Sequence, residues 1–186
     1  VFGLFMCDID HLKSVNDAYQ HEGGDRVLKE FAAILRRAVR QDDVVIRLGG
    51  EEFLVVLKKT SPDYLQVFTA RVLADIREHE FDVGNGVTIR KTCSVGCTSF
   101  PLYPSQPGLL TFDQCIQLAD QGLYFAKEHV RDQAVVADQG PSLAGQAGQG
   151  VGVDVAHLAG TGHGIHGHQF VARGDDAATR PAEDAQ

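Results

Sequence analysis

Apolar residues recur along the first 136 positions with two periods, one of alternation and one of helical spacing, and beyond them the recurrence fades. The opening run Val1-Phe2-Gly3-Leu4-Phe5-Met6-Cys7 is short, apolar and closed by charge, which predicts a strand buried on both faces that delivers Asp8 and Asp10 to its C-terminal end. Residues 25–40 place Val27, Leu28, Phe31, Ile34, Leu35 and Val39 at helical spacing. Asp25 stands near the start of this helix, and Arg36, Arg37 and Arg40 lie in its last turns, where cations suit the macrodipole. Two β-rich runs, 44–48 and 53–57, flank Gly49-Gly50 and predict a hairpin, because paired glycines accept the positive φ of a tight turn. A helix over about 62–78, a long strand over about 87–99, a loop with Pro101, Pro104 and Pro107, and a helix over about 112–128 complete the pattern.

In order these elements read β-α-β-β-α-β, with an extra short helix and small terminal strands. That predicts an α+β fold of ferredoxin-like or polymerase-palm-like architecture, an antiparallel sheet with helices packed on it. The opening in mid-strand suggests an N-terminal truncation. The domain is expected to span residues 1–136. Residues 137–186 hold 10 of the 20 glycines and little apolar periodicity, so a disordered C-terminal tail is expected there. His157, His163, His166 and His168 offer metal-binding nitrogens in that tail, but glycine-rich surroundings supply no fixed geometry.

Charge narrows the function. The net charge of -8 is shared evenly: residues 1–136 carry 15 Lys and Arg against 19 Asp and Glu, and the rest carry 2 against 6, so neither part resembles a general nucleic-acid binder. Cys7, Cys93, Cys97 and Cys115 lie in apolar stretches without C-x-x-C spacing, which fits a reducing cytoplasm better than a disulfide framework or zinc site. No apolar run approaches the roughly 20 residues of a spanning helix, and no basic region of a signal peptide opens the chain.

Asp8, Asp10 and Glu51 can converge at one edge of the sheet, and hard oxygen ligands of this kind suit Mg²⁺ completed by water and substrate phosphates. Taken singly, Asp10 reads equally well as a helix cap, and Glu51 and Glu52 as solvated charges. Read together, the pieces are more specific. Asp8-Ile9-Asp10-His11-Leu12-Lys13, Asn16-Asp17, His21, Gly24-Asp25 and Arg47-Leu48-Gly49-Gly50-Glu51-Glu52-Phe53 resemble, in order and spacing, the GGDEF domain of diguanylate cyclases in a GGEEF variant. Cys93-Ser94-Val95-Gly96 is similar to that family's late strand, and Ala119-Asp120-Gln121-Gly122-Leu123-Tyr124-Phe125-Ala126-Lys127 to its last helix.

The resemblance implies an enzyme that condenses two GTP into cyclic di-GMP and releases two pyrophosphates, acting as a homodimer because one domain holds one GTP. It implies two Mg²⁺ per site, with Mn²⁺ an alternative, bound by Asp8, the Ile9 carbonyl and Glu51, with Glu52 as a further ligand or proton acceptor. Asn16 and Asp25 would bind guanine, His21 would line its pocket, and Gly49 and Gly50 would let the backbone approach the nucleotide. Lys13, Lys127 and Arg131 would face the phosphates. Arg40 and Asp43, an R-x-x-D in register with the hairpin, together with Arg71, would form a product-inhibition site for cyclic di-GMP. Gln20 and Val130 stand where the family usually has glycine, Leu12 where it often has phenylalanine, and Asp132 where it has asparagine. The alternative reading is a catalytically silent module that binds GTP or cyclic di-GMP as an effector.

Overall fold

The computed structural model describes residues 1–139, 151–159 and 168–172. Its elements run β1 (Phe2–Ile9), α1 (Leu12–Ala38), β2 (Val44–Gly49), β3 (Glu52–Leu57), α2 (Pro62–Glu78), β4 (Glu80–Gly84), β5 (Val87–Arg90), β6 (Cys93–Phe100), α3 (Phe112–His129), β7 (Gln133–Gln139), β8 (Val151–Ala159) and β9 (His168–Ala172). The main sheet has the order β2-β3-β1-β6-β7-β8-β9, and β4 and β5 pair as a separate hairpin.

β1 sits at the centre, paired antiparallel with β3 on one side and β6 on the other, and its side chains alternate between the two faces. Phe5, Cys7 and Ile9 enter a core shared with Val27, Phe31 and Leu35 of α1 and Leu65, Phe68 and Val72 of α2. Phe5 meets Phe68 edge-on at 5.4 Å, and Phe31 meets Phe53 at 5.3 Å. On the other face Leu4 packs with Cys115 and Leu118, and Met6 with Ala119 and Leu123, all of α3. Gly96 of β6 permits this second layer, since a Cβ there would overlap the Ala119 carbonyl and the Leu123 amide.

Helix starts follow their local chemistry. Ser61 caps α2 by accepting from the Tyr64 amide at 3.2 Å, with proline in the first turn. Thr111 and Gln114 form a reciprocal capping box at the start of α3. The four cysteines are free and buried. Burial pushes the Cys7 and Cys93 thiols well up, which leaves them protonated and unreactive. Among the described residues no helix is long and apolar enough to cross a membrane.

Three expectations need amendment. The α+β fold is present, but the sheet is mixed: β7 runs parallel to β6, because the connection between them crosses over through α3. The strand expected over 87–99 is two, broken at Lys91 and Thr92: β5 pairs only with β4, turned back onto it by Gly84, Asn85 and Gly86 at positive φ, while β6 starts at Cys93 and joins the main sheet beside β1. The helix expected from residue 25 starts at Leu12 and is broken at Tyr19 and Gln20, with Leu12 and Val15 already buried in its first turn. The expected disordered tail falls largely on residues outside those described. Within it, β8 and β9 are described, and they continue the sheet antiparallel from β7.

Gln20 has φ 61° and ψ 178°, a region that glycine enters readily and residues with a Cβ hardly at all. Gln20→Gly should therefore raise stability by about 1 kcal/mol despite the added unfolded-state entropy. The check is a denaturant midpoint moved upward at constant slope, and an unchanged or lower midpoint would show that the backbone there carries no strain.

Candidate functional site

The alternation of β1 that sends Leu4 and Met6 toward α3 places Asp8 on the same face, and Asp10 follows beyond the strand end. Both are 1% exposed. Their surroundings differ. Asp10 Oδ1 accepts from the Ser94 hydroxyl at 2.7 Å, and Oδ2 accepts from the Thr92 hydroxyl at 2.7 Å and the Asp132 amide at 3.0 Å. It is a fully engaged structural carboxylate.

Asp8 Oδ2 receives the Lys127 ammonium at 2.7 Å, while among the described residues its Oδ1 is the one buried side-chain oxygen or nitrogen without a hydrogen-bond partner. Burial raises the Asp8 pKa from 3.8 to about 6; Lys127 opposes the rise, and the carboxylates of Glu51 and Glu52 add to it. Those two glutamates arrive on the β2–β3 hairpin. Glu52 lies opposite Asp8 across the β1–β3 pair, and the Ile9 amide donates to the Glu51 carbonyl at 3.3 Å. At the tip Gly50 takes φ 49°, and the Arg47 guanidinium closes the turn by donating to the Gly50 carbonyl at 3.0 and 2.6 Å. A Cβ on Gly49 or Gly50 would meet nothing within 4 Å, so the tip is open to a ligand.

The break in α1 assembles a second wall. Along an unbroken helix Asn16 and Gly24 would stand about 12 Å apart. Here they touch, and a Cβ on Gly24 would overlap the Asn16 amide oxygen. Asn16 is thus brought against Gly24, the residue before the exposed Asp25, with exposed His21 just past the break and exposed Lys13 in the first turn.

α3 supplies cations. Lys127 is held on Asp8, and Arg131 Nη1 lies 3.9 Å from Asp10 Oδ1. Val130, with φ -147°, has no need of the left-handed freedom a glycine would bring. Lys91 is a further cation that sequence reading missed. Its ammonium donates to the His11 carbonyl at 3.1 Å, and it lies in the field of Asp10 and Glu51, though burial lowers its pKa. Thr92 and Ser94, which hold Asp10, were missed as well. An isolated lysine carries no spacing signal, and neither the hydroxyl of Thr92 before β6 nor that of Ser94 within it reveals from spacing that it holds Asp10.

The remaining candidates form a separate group. The Asp43 carboxylate is buried, and its oxygens accept from the Arg40 amide at 2.9 Å and the Lys58 amide at 2.8 Å. It therefore organises the turn between α1 and β2. Arg40 is exposed and stacks its guanidinium 4.9 Å from the Tyr64 ring centre; exposed Arg71 donates to the Ala38 carbonyl at 2.8 Å, two residues before Arg40.

The donor set suits a hard divalent cation in part. Asp8 Oδ1 is buried and unpartnered, two more carboxylates lie within its field, and backbone carbonyls are adjacent. Among the described residues no three His, Cys, Asp or Glu side chains converge as a finished cage. Water and substrate phosphates would have to complete the shell, as Mg²⁺ sites commonly require.

The sequence profile described as "Diguanylate cyclase, GGDEF domain" matches residues 1–133. The chain is 37% identical over 138 residues to YhcK of Bacillus subtilis, covering 74% of this chain and 37% of that protein. It is 40% identical over 134 residues to the diguanylate cyclase DgcP of Pseudomonas aeruginosa, covering 72% and 19%. The chain thus spans well under half the length of these relatives. Among solved structures it is similar to the diguanylate cyclase SiaD of Pseudomonas aeruginosa in complex with its activator SiaC, with a TM-score of 0.64, 33% identity and coverage of 73% of this chain and 50% of that one. It is also similar to the active GGEEF domain of a diguanylate cyclase from Vibrio cholerae, with a TM-score of 0.62, 27% identity and coverage of 70% and 79%.

The Asp8 environment makes a testable demand. Its folded pKa, about 6, lies above the ordinary 3.8, so the unfolded chain binds fewer protons between those values and stability falls as pH rises through the interval. A cation that binds the ionised form reverses this above the interval. Mg²⁺ should raise the melting temperature at about pH 8 and not at about pH 5, and Asp8→Asn should lose the effect. Equal Mg²⁺ stabilisation at both pH values, or in the variant, would remove Asp8 from the ligand set.

Proposed function

The chain belongs to the GGDEF domain family of diguanylate cyclases, and on that premise we propose that it condenses two GTP molecules into cyclic di-GMP. The observation that carries the proposal is the buried, half-partnered Asp8 beside Glu51 and Glu52, at the open end of a glycine hairpin. Mg²⁺ bound there by Asp8, the Ile9 carbonyl and Glu51 would activate the attacking hydroxyl and neutralise the leaving pyrophosphate.

The chain's own residues do the rest. Asn16 can both donate to and accept from guanine, and the Asp25 carboxylate can accept from its N1 and N2 protons. Lys127 and Arg131 would take the triphosphate. Lys127 would have to leave Asp8 for this, so phosphate binding and exposure of the metal-binding carboxylate become one event. Glu52, exposed across the strand pair from Asp8, would receive the proton of the 3′-hydroxyl as it attacks the α-phosphate of a second GTP. Positioning and charge neutralisation supply most of the rate in such a transfer. Each domain holds one GTP, so two copies must face each other.

For product inhibition, exposed Arg40 and Arg71 remain available to phosphates. Asp43 would contribute by fixing the Arg40 backbone, since both its oxygens are engaged by amides.

The test is Mg²⁺-dependent turnover of GTP resolved by chromatography, with the chain alone and fused to a dimerising helix. Cyclic di-GMP should form, and Glu51→Ala should cut the rate by at least about a hundredfold. A folded, dimerised chain that binds GTP and makes no product would sink the cyclase reading in favour of an effector-binding module.

A further inference from the structure

The loop that follows α3 is held in a conformation that its own residues disfavour. Arg131 and Asp132 are consecutive left-handed residues, φ 59° and 48°, and neither is glycine. Something outside the loop must hold it there. The Arg131 amide donates to the Ala126 carbonyl at 2.9 Å and closes the helix end. Asp132 is held at every polar group: its amide donates to Asp10 Oδ2 at 3.0 Å, its carboxylate oxygens each receive Arg77 Nε at 2.7 Å, and its carbonyl accepts from Arg77 Nη2 at 3.0 Å.

Arg77 lies in the last turn of α2, on the far side of the sheet core from α3, and no motif of the site includes it. Its guanidinium engages both the side chain and the main chain of one residue, a geometry lysine cannot reproduce. Asp10, the other anchor, is itself fixed by Ser94 and Thr92 at 2.7 Å. Between these fixed points the Arg131 backbone is set, while its side chain is held loosely, 3.9 Å from Asp10 and about one third exposed at 35%. A fixed stem with a loosely held guanidinium suits a group that must turn onto an arriving anion.

We propose that Arg77 is a positioning residue for nucleotide phosphate: by gripping Asp132 it sets Arg131 where it can reach the triphosphate. This rests on the reading of Arg131 as a phosphate ligand. It also gives a reason for an aspartate at position 132, because an asparagine would turn an amide group toward the guanidinium and lose half of the fork.

The experiment measures affinity for an α,β-methylene analogue of GTP with Mg²⁺, alongside kcat and KM for GTP. Arg77→Ala should weaken analogue binding and raise KM by about tenfold with kcat nearly unchanged, since a small displacement of a binding group is costly. Arg77→Lys should not restore affinity, Asp132→Asn should show a smaller loss, and Arg90→Ala, which breaks an exposed pair with Glu80 on the β4–β5 hairpin, should show none. In an Arg131→Ala background, Arg77→Ala should add nothing. Unchanged affinity in Arg77→Ala overturns the inference, as does a loss of equal size in the Arg131→Ala background, which would mark a purely structural role. If Arg77→Ala does not fold, Asp132→Asn and its double variant with Arg131→Ala decide by the same criteria. Wild-type binding without turnover would sink the cyclase reading alone, and no wild-type binding would sink both.

Discussion

The buried carboxylate of Asp10 is the point on which the site end of the molecule depends. A carboxylate 1% exposed is tolerable only when its oxygens are engaged, and here each engagement comes from a different stretch of chain. Ser94 reaches it from β6, Thr92 from the link before β6, and the Asp132 amide from the link between α3 and β7. Arg77 extends the network to α2 through Asp132. One side chain at the end of the central strand thus registers the neighbouring strand β6, the end of the crossover helix and a helix of the opposite layer. Removing it would leave two hydroxyls and an amide without their acceptor.

Two residues earlier the same residue type is treated in the opposite way. Asp8 is as deeply buried, yet one oxygen is left without a donor and the other is given a single lysine. The cost appears as a pKa near 6, driven first by burial. A structural carboxylate would not be left so poorly served. On the proposed function the arrangement fits a group whose partner arrives with the substrate: a phosphate that drew Lys127 away would expose a carboxylate that then favours a divalent cation.

Much of this was legible beforehand for a physical reason. Alternation and helical spacing report burial, and burial organises β1, α2, α3 and the β2–β3 hairpin, so their limits fall within a residue or two of those read from pattern. What escaped was set by backbone conformation and by single polar contacts. The Gly84-Asn85-Gly86 turn was written in the sequence but was passed over in favour of the flanking β-branched residues. That Asp8, Glu51 and Glu52 lie together was legible because a short motif groups them. Asp43, read as a ligand-facing group, instead serves two backbone amides, a use no spacing can reveal. Lys91, Thr92 and Arg77 act through tertiary contacts alone.

The break in α1 shows how such unreadable features bear on function. To bring Asn16 against Gly24, the chain must turn sharply within a helix, and Gly23 and Gly24 are needed because a Cβ on the first would lie 2.6 Å from Tyr19 Cβ and one on the second would strike Asn16. The remaining demand falls on Gln20, which accepts a glycine-like conformation. Strain at one residue is thus the local cost of closing Asn16 and Asp25 into a single wall, and the packing of Leu12, Val15, Val27 and Phe31 on the core supplies the energy that holds both halves of the helix in place. The approach of Asn16 to Gly24 depends on that packing and on the break, neither of which a motif's spacing reports.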